Sequence, residues 1–179
     1  MKMPISSPFS YAKVGLSNRS IQITQTIASI ELLEQQIEEI ETLIEDTMKE
    51  LDSVIMTVPG IGAMDGAMIL GEIGDISRFA SASKLLAYAG LDPTVCQSGN
   101  FRARSTRMSK RGSKTLRFAL INAAWQLTLH SDVFKAYYDL KRSAGLGHYA
   151  ALGHVAHKLV RVLFKILRSR IPFDENFLL

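Results

Sequence analysis

Asp52–Gly74 reads DSVIMTVPGIGAMDGAMILGEIG. Pro59 lacks the N–H that a helix interior needs, so Val54, Ile55 and Val58 are expected to end one helix there. Gly60 and Gly62 then permit a tight turn, and Ala63 to Ile73 resume helical spacing. Ala63, Gly66, Ala67 and Gly71 put small side chains on that second helix, where a neighbour can approach closely. This stretch makes the fold a matter of helix against helix. The class expected for the chain is all-α.

Helix, PGIG and helix in succession are similar to a helix-hairpin-helix. In that motif glycines let backbone N–H groups reach a phosphate, and the second helix adds its positive N-terminal dipole. Gly60 and Gly62 are the candidate phosphate contacts. The plainer alternative is an ordinary tight αα-turn.

Upstream, Ile23, Ile27, Ile30, Leu33, Ile37, Ile40, Ile44, Thr47 and Leu51 recur at steps of mostly three and four, with Glu and Gln between them. That is an a/d seam over about four heptads, the pattern of a coiled coil with a second copy. The alternative is one long amphipathic helix lying on its own domain. Residues 1–19 hold Pro4, Gly15 and several serines without periodicity and read as a flexible lead-in. The expected division is lead-in 1–19, coiled-coil helix 20–52, compact helical domain 53–171 and tail 172–179.

Downstream, SRFASASKLLAYAGLDP (Ser77–Pro93) reads as a short helix capped by Ser81 or Ser83 and ended by Gly90. Thr94–Cys96 and Arg104–Met108 read as a small β-hairpin around a Ser98-Gly99-Asn100 turn. Ser113 to about Leu129 is a helix whose core face is Leu116, Ala119, Leu120, Ala123, Ala124 and Leu127. Another runs from a Ser131-Asp132 cap to Ser143, and a last long one from His148 to about Arg168.

The net charge of +4 hides an asymmetry. Glu31–Asp52 contains nine acidic residues and one basic residue, Lys49, whereas Ser53 to the end carries seventeen basic and eight acidic ones, a balance of 17 − 8 = +9. An acidic helix joined to a basic domain points to a polyanionic partner, nucleic acid before any other. No apolar run approaches the roughly 18 residues that span a bilayer, so no membrane partner is expected. The first twenty residues lack the continuous apolar centre of a signal peptide. Cys96 is the single cysteine, which excludes an internal disulfide framework. The expected location is the cytoplasm.

Gln97–Arg117, QSGNFRARSTRMSKRGSKTLR, carries seven basic residues, Arg102, Arg104, Arg107, Lys110, Arg111, Lys114 and Arg117, and no acidic one. The acid-free interval extends from Pro93 to Ser131. Uncompensated like charges repel, and they make sense opposite phosphates, where arginine adds bidentate geometry. Lys110-Arg111-Gly112-Ser113 also leads into a helix N-terminus, itself an anion site. Ser98, before Gly99, is exposed on the expected turn. A serine attacks phosphorus when cations hold the phosphate and an acceptor takes its proton. The arginines meet the first need and nothing nearby in sequence meets the second. His130, His148, His154 and His157 read as core-edge or surface residues. His154 and His157 lack a third partner for zinc, so no metal site is expected in this chain.

Taken in order, PGIG, GEIGDISRFASASKLLAYAGLDP, QSG and SKRGSKTLRFALINAAW resemble the C-terminal transposase domain of the IS110-type insertion-sequence transposases, a group that includes the IS116 and IS902 types. The resemblance covers about Leu51 to Arg170, and the Glu-rich coiled coil before it is similar too. It implies a DNA recombinase guided by an RNA of the mobile element, with DNA and that guide RNA as partners. It also implies two cooperating parts: a RuvC-like nuclease domain with magnesium-binding acids, and this domain with a nucleophilic serine that forms a phosphoserine link to cut DNA. By motif position that serine is Ser98, with Ser109 and Ser105 as the fallback choices. No acidic metal pair is evident before Ser53, so the expectation is the serine-bearing half without its nuclease domain, inactive alone and assembled as a dimer or tetramer. Two other readings stand beside it: a non-catalytic helix-hairpin-helix module dimerised by the coiled coil, and an interaction protein whose basic surface meets an acidic protein.

Overall fold

Every third or fourth residue of the last long helix is apolar, and those positions form the centre of the structure. The computed structural model describes residues 8–93, 97–98, 101–102 and 108–175. The helices are α1 (Pro8–Leu51), α2 (Ala63–Ile73), α3 (Ala82–Tyr88), α4 (Lys114–His130), α5 (Asp132–Ser143) and α6 (His148–Ser169). Single 3₁₀ turns lie at Val54–Thr57 and Ile76–Arg78, and two short strands, β1 (Gln97–Ser98) and β2 (Phe101–Arg102), pair antiparallel. On α6, Val155, Leu159, Val160, Leu163 and Ile166 are fully buried, and the helix packs against α3, α4 and α5. The all-α class expected from the sequence is observed.

The chain divides into two units, Met1–Leu43 and Ile44–Leu179. In the first, Ile23, Ile27, Ile30, Leu33, Ile37 and Ile40 are each half or more exposed. The helix begins at Pro8, so residues 8–19 continue it where a lead-in was expected. Periodicity marks an amphipathic face and does not limit how far a helix propagates once nucleated. The second unit starts before the expected boundary at Ser53, because Met48 is buried and Ile44 packs against the core.

Around PGIG the structure departs from the sequence reading. Helix α1 stops at Leu51, with Asp52 at φ 44, and Val54–Thr57 form a 3₁₀ turn where a helix end was expected. The Ser53 hydroxyl caps that turn by accepting from the Ile55 N–H. Gly60 sits at φ 78, and a Cβ there would lie 2.9 Å from the backbone of Gln126 on α4. Gly66 does provide close approach, since a Cβ would meet Met48 and Met56 at 3.0 Å, whereas nothing lies within 4 Å of one built on Gly71. Asp65, in the first turn of α2, is buried and accepts from Asn122 Nδ2 at 3.0 and 2.9 Å, which ties α2 to α4.

All six residues expected on the core face of α4 are buried. The Ser113 hydroxyl caps this helix by accepting from Leu116 N–H at 3.0 Å. At α5 the expected serine cap has another use: the Ser131 hydroxyl donates to Glu175 at 2.7 Å and makes no cap bond. Phe173 lies near Phe134, ring centroids 6.5 Å apart, and its N–H donates to Thr57 Oγ1, so residues 173–175 of the expected 172–179 tail pack on the fold.

The two PGIG glycines should therefore respond differently to alanine. Gly60→Ala puts a Cβ into a left-handed position and against Gln126, and is expected to destabilise by more than about 1 kcal/mol. Gly62, at φ −82 with open space around it, should accept alanine with little change in stability. Urea unfolding of the two variants checks the contrast.

Candidate nucleic-acid interface

The basic stretch leaves and rejoins the helical core through one narrow neck, and two glycines make that neck possible. Gly90, at φ 66, follows α3 and faces Gly112: a Cβ on Gly90 would lie 2.7 Å from the Gly112 nitrogen, and one on Gly112 would lie 1.9 Å from the Tyr88 carbonyl oxygen. The returning chain thus lies flat on the end of α3. Lys110 N–H donates to Gly90 O at 3.0 Å, Ser113 N–H to Tyr88 O at 2.7 Å, and Arg117 Nη1 to Ala89 O at 3.1 Å. These donors satisfy carbonyls that a helix C-terminus leaves without partners.

One step further out, Ser109 N–H donates to Asp92 O at 2.8 Å, and Pro93 bridges Met108 antiparallel. The Ser109 hydroxyl donates to the Asp92 carboxylate and accepts from the Arg111 N–H. From α6, His157 Nε2 meets Leu91 O at 2.7 Å. A carbonyl only accepts, so that nitrogen carries the proton. Ser113 Oγ, besides capping α4, donates to Glu72 Oε2 at 2.8 Å.

Lys110 (φ 54), Arg111 and Lys114, in or next to the returning segment, are all exposed, and among the described residues none of the three forms an ion pair. The nearby carboxylates of Asp92 and Glu72 are engaged by serine hydroxyls. Arg117 differs from its expected role: it is half-buried, with its guanidinium capping α3. Beyond the neck, Ser98 is a strand residue opposite Phe101, not a turn residue, and Gln97 pairs with Arg102. The expected strand residues 94–96 and 104–107, with Arg104, Ser105 and Arg107 among them, lie outside the described residues, while Met108 pairs antiparallel with Pro93. Gly60 and Gly62 sit on the α2–α4 side, where Gly60 has a packing reason to be glycine and Asp65 already places a carboxylate in the first turn of α2.

Sequence spacing could not find the Asp92–Ser109 and His157–Leu91 links, which join residues 17 and 66 positions apart. Among the histidines, His148 bonds Tyr138 at 2.7 Å. His154 is held below the ordinary histidine value of 6.5, first by partial desolvation and then by the charges of Lys141 and His157.

Residues 52–139 match the model of the transposase IS116/IS110/IS902 family. The chain is 28% identical over 164 residues to the insertion element IS110 uncharacterized 43.6 kDa protein of Streptomyces coelicolor, covering 90% of this chain and 40% of that protein. It is 30% identical over 143 residues to the insertion element IS116 uncharacterized 44.8 kDa protein of Streptomyces clavuligerus, covering 79% and 36%. It is also 30% identical over 125 residues to the pilin gene-inverting protein of Moraxella bovis, covering 69% and 39%. The chain thus spans about two fifths of the length of these relatives.

Two outcomes are expected. Asp92→Ala removes a charge-assisted hydrogen bond and should cost about 1.5–3 kcal/mol, with faster hydrogen exchange at the Ser109 and Lys110 amides. His154 should titrate below 6.5 by NMR. Its neutral form is the one folding favours, so its contribution to stability is present above 6.5 and is lost as pH falls through its folded midpoint. Lys141→Gln should move that midpoint upward.

Proposed function

We propose, taking residues 52–139 as a transposase-family domain, that the chain is the DNA-binding, serine-bearing part of an insertion-sequence transposase. The observation that supports this reading is the neck: Lys110, Arg111 and Lys114 are exposed, form no ion pair among the described residues, and follow the strand pair that bears Ser98 closely along the chain. Cations in that arrangement hold a phosphodiester and stabilise the charge that grows on it when it is attacked.

In this proposal the Ser98 oxygen forms a bond to phosphorus while the bond to the leaving sugar oxygen breaks. The serine proton passes to that oxygen. The phosphodiester is exchanged for a phosphoserine of similar energy, so the step reverses without an outside energy source. Ser109 holds the neck closed and serves the reaction only through position. Arg102 lies in β2, opposite Gln97 and near Ser98 along the hairpin, and with Arg104 and Arg107 it would extend the phosphate grip.

Magnesium is the family's expected metal. Among the described residues no group of three or more His, Cys, Asp or Glu side chains could hold a metal ion. The acids of Glu31–Glu50 are strung along an exposed helix. The residues present do not fit the ion, and the metal-binding acids belong in this proposal to a separate nuclease part. A guide RNA would pair with the DNA and choose the site. The half-exposed isoleucine and leucine stripe of α1 would pair with a second copy.

Salt titration of DNA binding tests the reading. Four to six phosphate contacts predict a log–log slope of roughly −4 to −5 by fluorescence anisotropy, and a flat response would contradict it. Ser98→Ala should leave that affinity unchanged. In a reaction supplied with the family's nuclease part it should abolish the covalent protein–DNA adduct. The chain alone, given magnesium and a matched DNA, should bind without cutting.

A further inference from the structure

From Leu140 to Phe173 the sequence contains seven lysines and arginines and no aspartate or glutamate. Four of the seven lie on α6, at Lys158, Arg161, Lys165 and Arg168. With His154 they recur at steps of four, three, four and three, which is one face of a helix. The opposite face is the core: Val155, Leu159, Val162, Leu163 and Ile166 are buried, whereas His154, Arg161, Lys165 and Arg168 are exposed. The outward side of the central helix is therefore a single-signed stripe. From His154 to Arg168 it runs about 21 Å at 1.5 Å per residue.

The stripe begins at the neck. A Cβ on Gly153 would touch the Met108 side chain at 3.0 Å, and His157 holds the Leu91 carbonyl. Both contacts place the first turns of α6 beside the segment that carries Ser109 and Lys110. We propose that the outer face of α6 is a second phosphate-binding track for duplex DNA, running on from the neck of the serine hairpin. It extends the nucleic-acid reading to a surface that the hairpin residues do not form.

Three observations select a duplex backbone. Helix stability alone accounts only for a cation in the last turn, and Arg168 is the one cation there. The Lys158 ammonium lies 5.8 and 5.0 Å from the Phe134 and Tyr137 ring centroids and the Arg168 guanidinium 5.6 Å from that of Phe164, which holds both charged groups in place on the helix surface. Among the described residues, no exposed aromatic side chain lies between the cations along this face of α6 for unpaired bases to stack on. A rigid stripe of about 21 Å faces about six phosphates of one DNA strand at 3.4 Å of axis each. Such contacts set position and carry no base preference.

The test uses the whole chain and a fluorescein-labelled duplex of arbitrary sequence. Arg161→Gln with Arg168→Gln should leave the melting temperature and circular dichroism unchanged, weaken binding, and reduce the magnitude of the log–log salt slope by about 2, from about 0.9 per lost contact. Arg161→Lys with Arg168→Lys keeps the charge and should keep the slope. Lys110→Gln with Arg111→Gln and Lys114→Gln should lower the slope independently. If the α6 glutamine variant binds with the wild-type slope while the neck variant does not, the track is refuted and the proposed function stands. If it instead changes only the sedimentation mass, the stripe meets the acidic helix of a second copy, and the DNA track is again refuted. Absence of duplex binding by the wild-type chain at low salt overturns both readings.

Discussion

The backbone contact between Gly90 and Gly112 is the constraint on which the candidate site rests. No side chain fits between the end of α3 and the chain returning ahead of α4. Because the two segments touch, the amides of Lys110 and Ser113 reach the carbonyls of Gly90 and Tyr88. That in turn fixes the backbone from Lys110 to Ser113 against the end of α3, with Lys110, Arg111 and Lys114 exposed. A larger residue at either glycine would separate the cations from the elements that hold them.

The same economy of partners recurs through the domain. A helix end needs acceptors and donors for its unpaired backbone groups. Here Arg117 supplies them for the end of α3, Ser81 for its start and Ser113 for the start of α4. Arg117 therefore serves two ends: it belongs to the basic stretch by sequence and to the core by geometry. Ser109 is similar, its hydroxyl consumed by Asp92 and the Arg111 amide. Among the described residues of the basic stretch, Lys110, Arg111 and Lys114 remain exposed, whereas Arg117 is half-buried.

Much of this architecture was legible from residue spacing. All six apolar positions read on the face of α4 are buried, because the helix repeat keeps one side in the core; the buried Thr128, whose hydroxyl donates to the Trp125 carbonyl, was not read. The span of α1 was not, since a helix can continue through residues 8–18 without an apolar repeat. The Val54–Thr57 turn and the diverted Ser131 cap escaped for another reason: each depends on a partner far along the chain or on the path of the backbone, and neither is encoded in local pattern. The α6 stripe did leave a signal, cations at heptad spacing without acids, but the apolar positions beside them dominate the reading of that helix. Ser98 was expected at the turn, whereas its pairing with Phe101 sets it in a strand.

Amide chemical shifts of the isotopically labelled chain, followed as duplex DNA is added at low salt, test the central claim most directly. The account predicts that Lys110, Arg111, Gly112, Ser113 and Lys114 move together and saturate at one affinity, with α1 amides unmoved. Shifts confined to other surfaces, with these five amides unchanged at saturating DNA, would contradict it.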